Sequence, residues 1–171
     1  EIAPDVITSD ALEDQLAPAW SAMGIEPGQL EQLTGVRERR WWPVGTSISR
    51  MAALACQKAL DSANMPASKI GQLAYTGVCR ESFEPATACA VASHLELSRE
   101  TALHDISNAC LGAVDGIVMA SDAILLGRID AALVVCCESA RGIVDIACQR
   151  LLSDPRMDRF IPTLATLTGG S

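Results

Sequence analysis

Apolar positions along this chain switch between a helical period and short continuous runs. Leu12, Leu16 and Trp20 recur at helical spacing behind Thr8 and Ser9, either of which can cap a helix that begins near Asp10. Pro18 obscures where that helix ends, and Gly24, Pro27 and Gly28 mark a turn region. Residues Leu33 to Arg40 read as a turn into a charged, edge-like strand, and Trp41 and Trp42 follow it as cover for a domain edge or a subunit contact. Thr46 or Ser47 caps the next predicted helix, Ile48 to Asn64, which Met65-Pro66 stops. Leu73 to Val78 reads as a strand and Cys79 to Glu84 as a loop, with Pro85 at the first position of a helix reaching Leu95. A short strand, Thr101 to Ile106, precedes a long helix from Leu111 to Leu126. In that helix Leu111, Val114, Ile117, Val118, Ile124 and Leu125 form the apolar stripe, and Gly127 supplies the stop. Ala131 to Cys137 is an unbroken apolar run, as in a strand buried on both faces, and places Cys136 and Cys137 on opposite sides of it. Ile143 to Leu152 is a helix closed by Asp154-Pro155, and Thr163 to Thr168 begins a further strand.

Strands that alternate with helices predict an α/β fold, a mostly parallel or mixed sheet with helices on both faces. Ligands of such sheets bind beyond the carboxyl ends of the strands, where Cys79 to Glu84 and Ser107 to Cys110 both fall. The 171 residues suffice for one domain with a real core. Low-complexity segments, strong repeats and linkers are absent. The last element looks unfinished and the first residue is Glu1, so residues 1–171 read as one domain of something larger, incomplete at both ends.

Cys110 occupies the predicted strand-to-helix turn. Unpaired amides and the helix dipole favour an anion at such a position, which promotes the thiolate. The small residues Ala109, Gly112 and Ala113 let a substrate approach the sulfur. Position alone leaves two readings open, a nucleophile or a buried structural thiol.

A net charge of −8 without a dense run of Lys or Arg argues against a nucleic-acid surface. The longest apolar runs are broken by Asp, Arg or Gly, so no membrane span is expected. Seven cysteines at irregular spacing do not form a disulfide framework and fit a reduced, cytoplasmic setting. No CxxC occurs, and neither His94 nor His104 has ligand-like neighbours, so no metal site is predicted.

Three motifs stand in register: Thr34-Gly-Val-Arg-Glu-Arg39, Asp105-Ile-Ser-Asn-Ala-Cys110, and Gly127-Arg-Ile-Asp-Ala-Ala-Leu-Val-Val135. Their order and spacing resemble the thiolase-like condensing enzymes, and the chain is similar to the N-terminal half of a β-ketoacyl-acyl carrier protein synthase III. The resemblance covers nearly the whole chain and implies a thiolase-like fold, Cys110 as nucleophile, and a homodimer. Where the fatty-acid-initiating synthases carry an aromatic residue on the loop that crosses to the partner subunit, this chain has Glu84, followed by Pro85. That departure is similar to the thiolase-like enzymes of olefin biosynthesis, which join two fatty acyl thioesters head to head without decarboxylation. The resemblance also implies a His and an Asn from a C-terminal half, which neither His94 nor His104 matches. The Trp and Arg with which the synthases grip coenzyme A are missing near Thr34, where Gln29 and Leu33 stand.

The implied chemistry is acyl transfer. A thiolate at Cys110 takes an acyl group from acyl-coenzyme A or acyl carrier protein, and its backbone N–H contributes to an oxyanion hole. No bound cofactor is needed. Condensation to a β-keto product then requires a carbanion, formed by decarboxylation or by removal of an α-proton. A partly desolvated carboxylate suits the second route, since burial favours its protonated form, and Glu84 is the candidate general base, acting across the dimer. Its bland alternative is a charge interaction with the following helix. Arg80 and Glu81 read as pocket residues or solvated loop charges, and Ser107 and Asn108 as residues that shape the turn. Three alternatives stay open: a decarboxylating synthase III of fatty acid synthesis, acyl transfer to an alcohol or amine, and an inactive fragment or partner.

Overall fold

A computed structural model describes residues 1–170. The elements run β1 (Asp5–Thr8), α1 (Ser9–Met23), α2 (Gln29–Thr34), β2 (Glu38–Trp41), α3 (Ile48–Ala63), β3 (Ile70–Tyr75), α4 (Thr87–His94), β4 (Ala102–Asp105), α5 (Gly112–Leu125), β5 (Ala131–Val135), α6 (Arg141–Ser153) and α7 (Met157–Leu167). They form two compact units, one of Glu1 with Gly45–Glu138 and one of Ile2–Val44 with the stretch from Ser139 onward.

The first unit holds the parallel sheet, in the order β4-β3-β5. Leu73, Tyr75, Leu133 and Val135 point to one face, where they join Ala52, Cys56 and Leu60 of α3 and Val91 of α4 in a single apolar core. Ser47 caps α3 through its side chain, as its sequence position predicts. On the opposite face lies α5, and here the expected stripe is corrected. Leu111, Val114, Ile117, Val118, Ile124 and Leu125 are all exposed in this chain, while Gly112, Gly116 and Ala120 are buried. The helix seats its small-residue face because the sheet leaves no room for more. A β-carbon on Gly116 would stand 2.8 Å from Val134 Cγ1 and 2.9 Å from Thr76 Cγ2.

Both strand ends are shorter than the apolar runs suggest. β3 stops at Tyr75 and β5 at Val135, so Cys136 and Cys137 leave the strand instead of flanking it. Likewise α4 starts at Thr87, with Pro85 two residues ahead of its first turn rather than inside it.

The second unit pairs β1 with β2 antiparallel and packs α1, α6 and α7 around Leu12, Leu16, Trp20, Leu151 and Phe160. Trp41 is buried there as the last residue of β2, and its indole N–H donates to the Gly169 carbonyl at 2.9 Å, so it belongs to the core of this unit. The strand expected from Thr163 to Thr168 is instead the end of α7, with Thr168 as its C-cap. Phe160, Leu164 and Leu167 recur at helical spacing and pack into the core, which outweighs both the β-branched threonines and the hydrogen bond lost at Pro162. Among the described residues no helix is long and apolar enough to cross a membrane.

Candidate active site

At the carboxyl end of β4 the chain makes a short 3-10 turn, Ala109–Leu111, before α5 begins. Cys110 sits in that turn, ahead of the regular helix. Ala109 has φ of 44°, a left-handed conformation that costs a non-glycine residue on the order of 1 kcal/mol or more. Asn108 ties the turn to the helix, because its amide donates to Asp115 Oδ2 at 2.7 Å while its carbonyl accepts from the Leu111 N–H at 3.0 Å. Gly112 allows close seating at the start of α5, since a β-carbon there would stand 2.8 Å from the Thr76 carbonyl oxygen.

Cys110 is exposed, and it differs in this from most of the seven cysteines. Burial pushes the thiol of Cys56 up to about 12 and those of Cys137 and Cys148 to about 11, so none of these three supplies useful thiolate near neutrality. Cys136 is also exposed, but desolvation and the neighbouring Glu138 carboxylate raise its thiol as well.

Glu84 lies on the loop between β3 and α4. Phe83 beside it is fully exposed, so the tip of this loop projects from the chain that carries it. Glu84 and Cys110 are both exposed, and neither side chain has a hydrogen bond or ion pair among the described residues. The start of the loop, by contrast, is fixed. The Glu138 carboxylate accepts from the amides of Val78 and Cys79 at 2.6 and 3.1 Å, and the Tyr75 hydroxyl donates to the carbonyls of Cys79 and Cys137. Glu81, whose role the sequence left open, accepts from the Ser49 amide at 2.9 Å and so caps α3. Arg80 pairs with Asp105 at 3.6 Å.

Asp105, Glu138 and Tyr75 carry no motif of their own that marks these roles; their one sequence signal is position, at or just beyond the carboxyl ends of parallel strands, where ligands of such sheets bind.

Comparison with known proteins bears on this arrangement. Residues 43–143 match the thiolase N-terminal domain. An acyl-CoA:acyl-CoA alkyltransferase of Shewanella oneidensis is 50% identical over 171 residues, which is 100% of this chain and 49% of that protein. A β-ketoacyl-[acyl-carrier-protein] synthase III of Clostridium kluyveri is 32% identical over 112 residues, covering 66% of this chain and 34% of that protein. A crystal structure of a Glu-to-Gln variant of Xanthomonas campestris OleA superposes with a TM-score of 0.93 at 35% identity, covering 99% of this chain and 52% of that one. The chain spans about half the length of the alkyltransferase it matches.

Proposed function

The chain belongs to the thiolase family, and from that premise we propose that it carries the nucleophile and the general base of an acyltransferase that condenses two acyl thioesters without decarboxylation. Cys110 attacks the carbonyl carbon of a first acyl thioester as a thiolate. The tetrahedral intermediate collapses, the coenzyme A or carrier thiol leaves, and the acyl group stays on the Cys110 sulfur. Glu84 from the partner subunit then takes an α-proton from a second acyl thioester. The resulting carbanion attacks the acyl-Cys110 carbonyl, and the thiolate departs from a β-keto product.

One observation carries this reading. The nucleophile turn and the Glu84 loop leave adjacent parallel strands at their carboxyl ends, one ending in an exposed thiol and the other in a projecting carboxylate. The relationship to an acyl-CoA:acyl-CoA alkyltransferase along the whole chain supports two acyl thioesters as the substrates. The second reading, a decarboxylating synthase III, is favoured by the shorter match to such a synthase.

A homodimer belongs to the proposal. β4 is an edge strand among the described residues, its Ala102 is exposed, and the Phe83 tip has nothing of its own chain against it, which fits an edge completed by a second copy. Sedimentation of the full-length protein at micromolar concentration should give a dimer, and a monomer would contradict it.

Product analysis separates the readings. The full-length protein should make a β-keto product containing two chains from a single saturated acyl-CoA as its only substrate. A strict requirement for malonyl thioester would select the synthase reading, and an ester or amide would select acyl transfer to an alcohol or amine.

A further inference from the structure

Asp105 ends β4, five positions before Cys110, yet its carboxylate serves a different segment. Its two oxygens accept from the amides of Thr87 and Ala88, each at 2.9 Å, and these are the first two residues of α4. No side chain of α4's own N-cap residue, Ala86, caps that helix. Asp105 therefore supplies the cap from the end of β4, with charge-assisted bonds to amides at the positive end of the helix dipole. Arg80 reaches the same carboxylate from the start of the loop. The Asp105 side chain is only 6% exposed, so little water is available to replace these partners.

Glu84 stands three residues before Thr87. Upstream of it, the Glu81 N–H donates to Thr87 Oγ1 at 3.2 Å, closing the loop at its neck. Within the tip the Ser82 hydroxyl donates to the Pro85 carbonyl at 3.2 Å. The loop thus hangs on a neck whose two sides, Arg80 and Thr87-Ala88, meet at one carboxylate. That carboxylate belongs to the strand that leads into the nucleophile turn.

We propose that Asp105 is a positioning residue for Glu84, fixing the loop that carries the general base to the end of β4 in its own chain and so holding Glu84 in place for the partner subunit's site. This rests on the reading of Glu84 given above. A purely structural cap would lower stability and would affect every step alike. A positioning role predicts a selective loss, because a proton abstraction fails on a misplacement of about 1 Å that can cost ~10²-fold.

The test uses single-turnover kinetics of the full-length protein with a saturated long-chain acyl-CoA, reading acylation of Cys110 and β-keto product separately. Asp105→Asn keeps the shape, loses the ion pair, and turns an N–H toward an amide donor. It should acylate Cys110 at a rate within about threefold of wild type and form product at least about tenfold more slowly. In a Glu84→Gln background, Asp105→Asn should add less than about a twofold further loss, since the two act as a unit. Should Asp105→Asn fail to fold, Arg80→Gln removes the ion pair but leaves the cap, and should still slow product more than acylation. Equal losses in acylation and product, or losses that multiply fully in the double variant, would overturn the role of Asp105. A Glu84→Gln protein with the wild-type product rate would instead take down the general-base reading, and the positioning role with it. If Glu84→Gln is slow but Asp105→Asn is normal, only the positioning role falls.

Discussion

Gly112 stands against the backbone of Thr76, where a β-carbon added to it would lie 2.8 Å from the Thr76 carbonyl oxygen. The start of α5, and with it the Cys110 turn, is held at the distance this contact permits. Thr76 lies just beyond β3, with its N–H bonded to the Val135 carbonyl at 2.8 Å, and a backbone oxygen held this way cannot give way as a side-chain tip can. Gly112→Ala should therefore destabilise the protein by about 1–3 kcal/mol, the usual cost of overpacking, although alanine is the better helix former by about 1 kcal/mol. It should also slow acylation of Cys110. Gly142, also in the first turn of a helix, has nothing within 4 Å of its added β-carbon, so Gly142→Ala should stabilise by about 0.5–1 kcal/mol. Urea unfolding of the two variants checks the opposite signs.

The buried thiols give a dependence on alkaline pH. Cys56 is raised from its ordinary 9.0 to about 12 by desolvation in the core under α3. The folded state therefore holds a proton that the unfolded chain releases. The stabilisation is complete below about pH 9 and is lost as pH rises from there toward 12. Cys137 and Cys148, raised to about 11, act in the same direction. The urea midpoint should fall with pH across this window, and Cys56→Ala, though less stable throughout, should show a shallower fall. Parallel slopes for the two proteins would contradict the assignment.

What the sequence disclosed follows how local each cause is. The start of α3 was legible because its cap, Ser47, is the adjacent residue. The start of α2 was not, because the Glu13 carboxylate supplies it from α1, accepting from the amides of Gly28 and Leu30 at 2.5 and 2.6 Å. The Cys110 turn was legible as a motif between a strand pattern and a helix pattern. The role of Asp105 inside that motif was not, since its partners lie 17 and 18 residues earlier. The buried face of α5 was misread because apolarity usually marks the packed face, whereas close approach to Val134 and Thr76 selects glycine and alanine. The helix α7 was missed because threonines suggested a strand where Phe160, Leu164 and Leu167 set the period.

Glu84 distinguishes the two condensing mechanisms. Glu84→Gln preserves the size of the side chain and removes the base, so Cys110 should still be acylated. Product formation from a plain acyl thioester should fall by about 10² or more, the scale expected for losing a positioned general base. A decarboxylating enzyme would be largely indifferent to the change. Stopped single turnovers with acyl-CoA alone provide the measurement, and a wild-type yield of β-keto product would remove Glu84 from the mechanism.

Acylation of Cys110 is the step on which the others depend, and peptide mass spectrometry reads it at the residue itself. Incubation of the full-length protein with a long-chain acyl-CoA should place one acyl adduct on the peptide containing Cys110. Neither Cys56 nor Cys148 should be modified, since both are buried and poorly ionised. Cys110→Ala should abolish both the adduct and the β-keto product. Acylation that persists unchanged in Cys110→Ala would rule out Cys110 as the carrier.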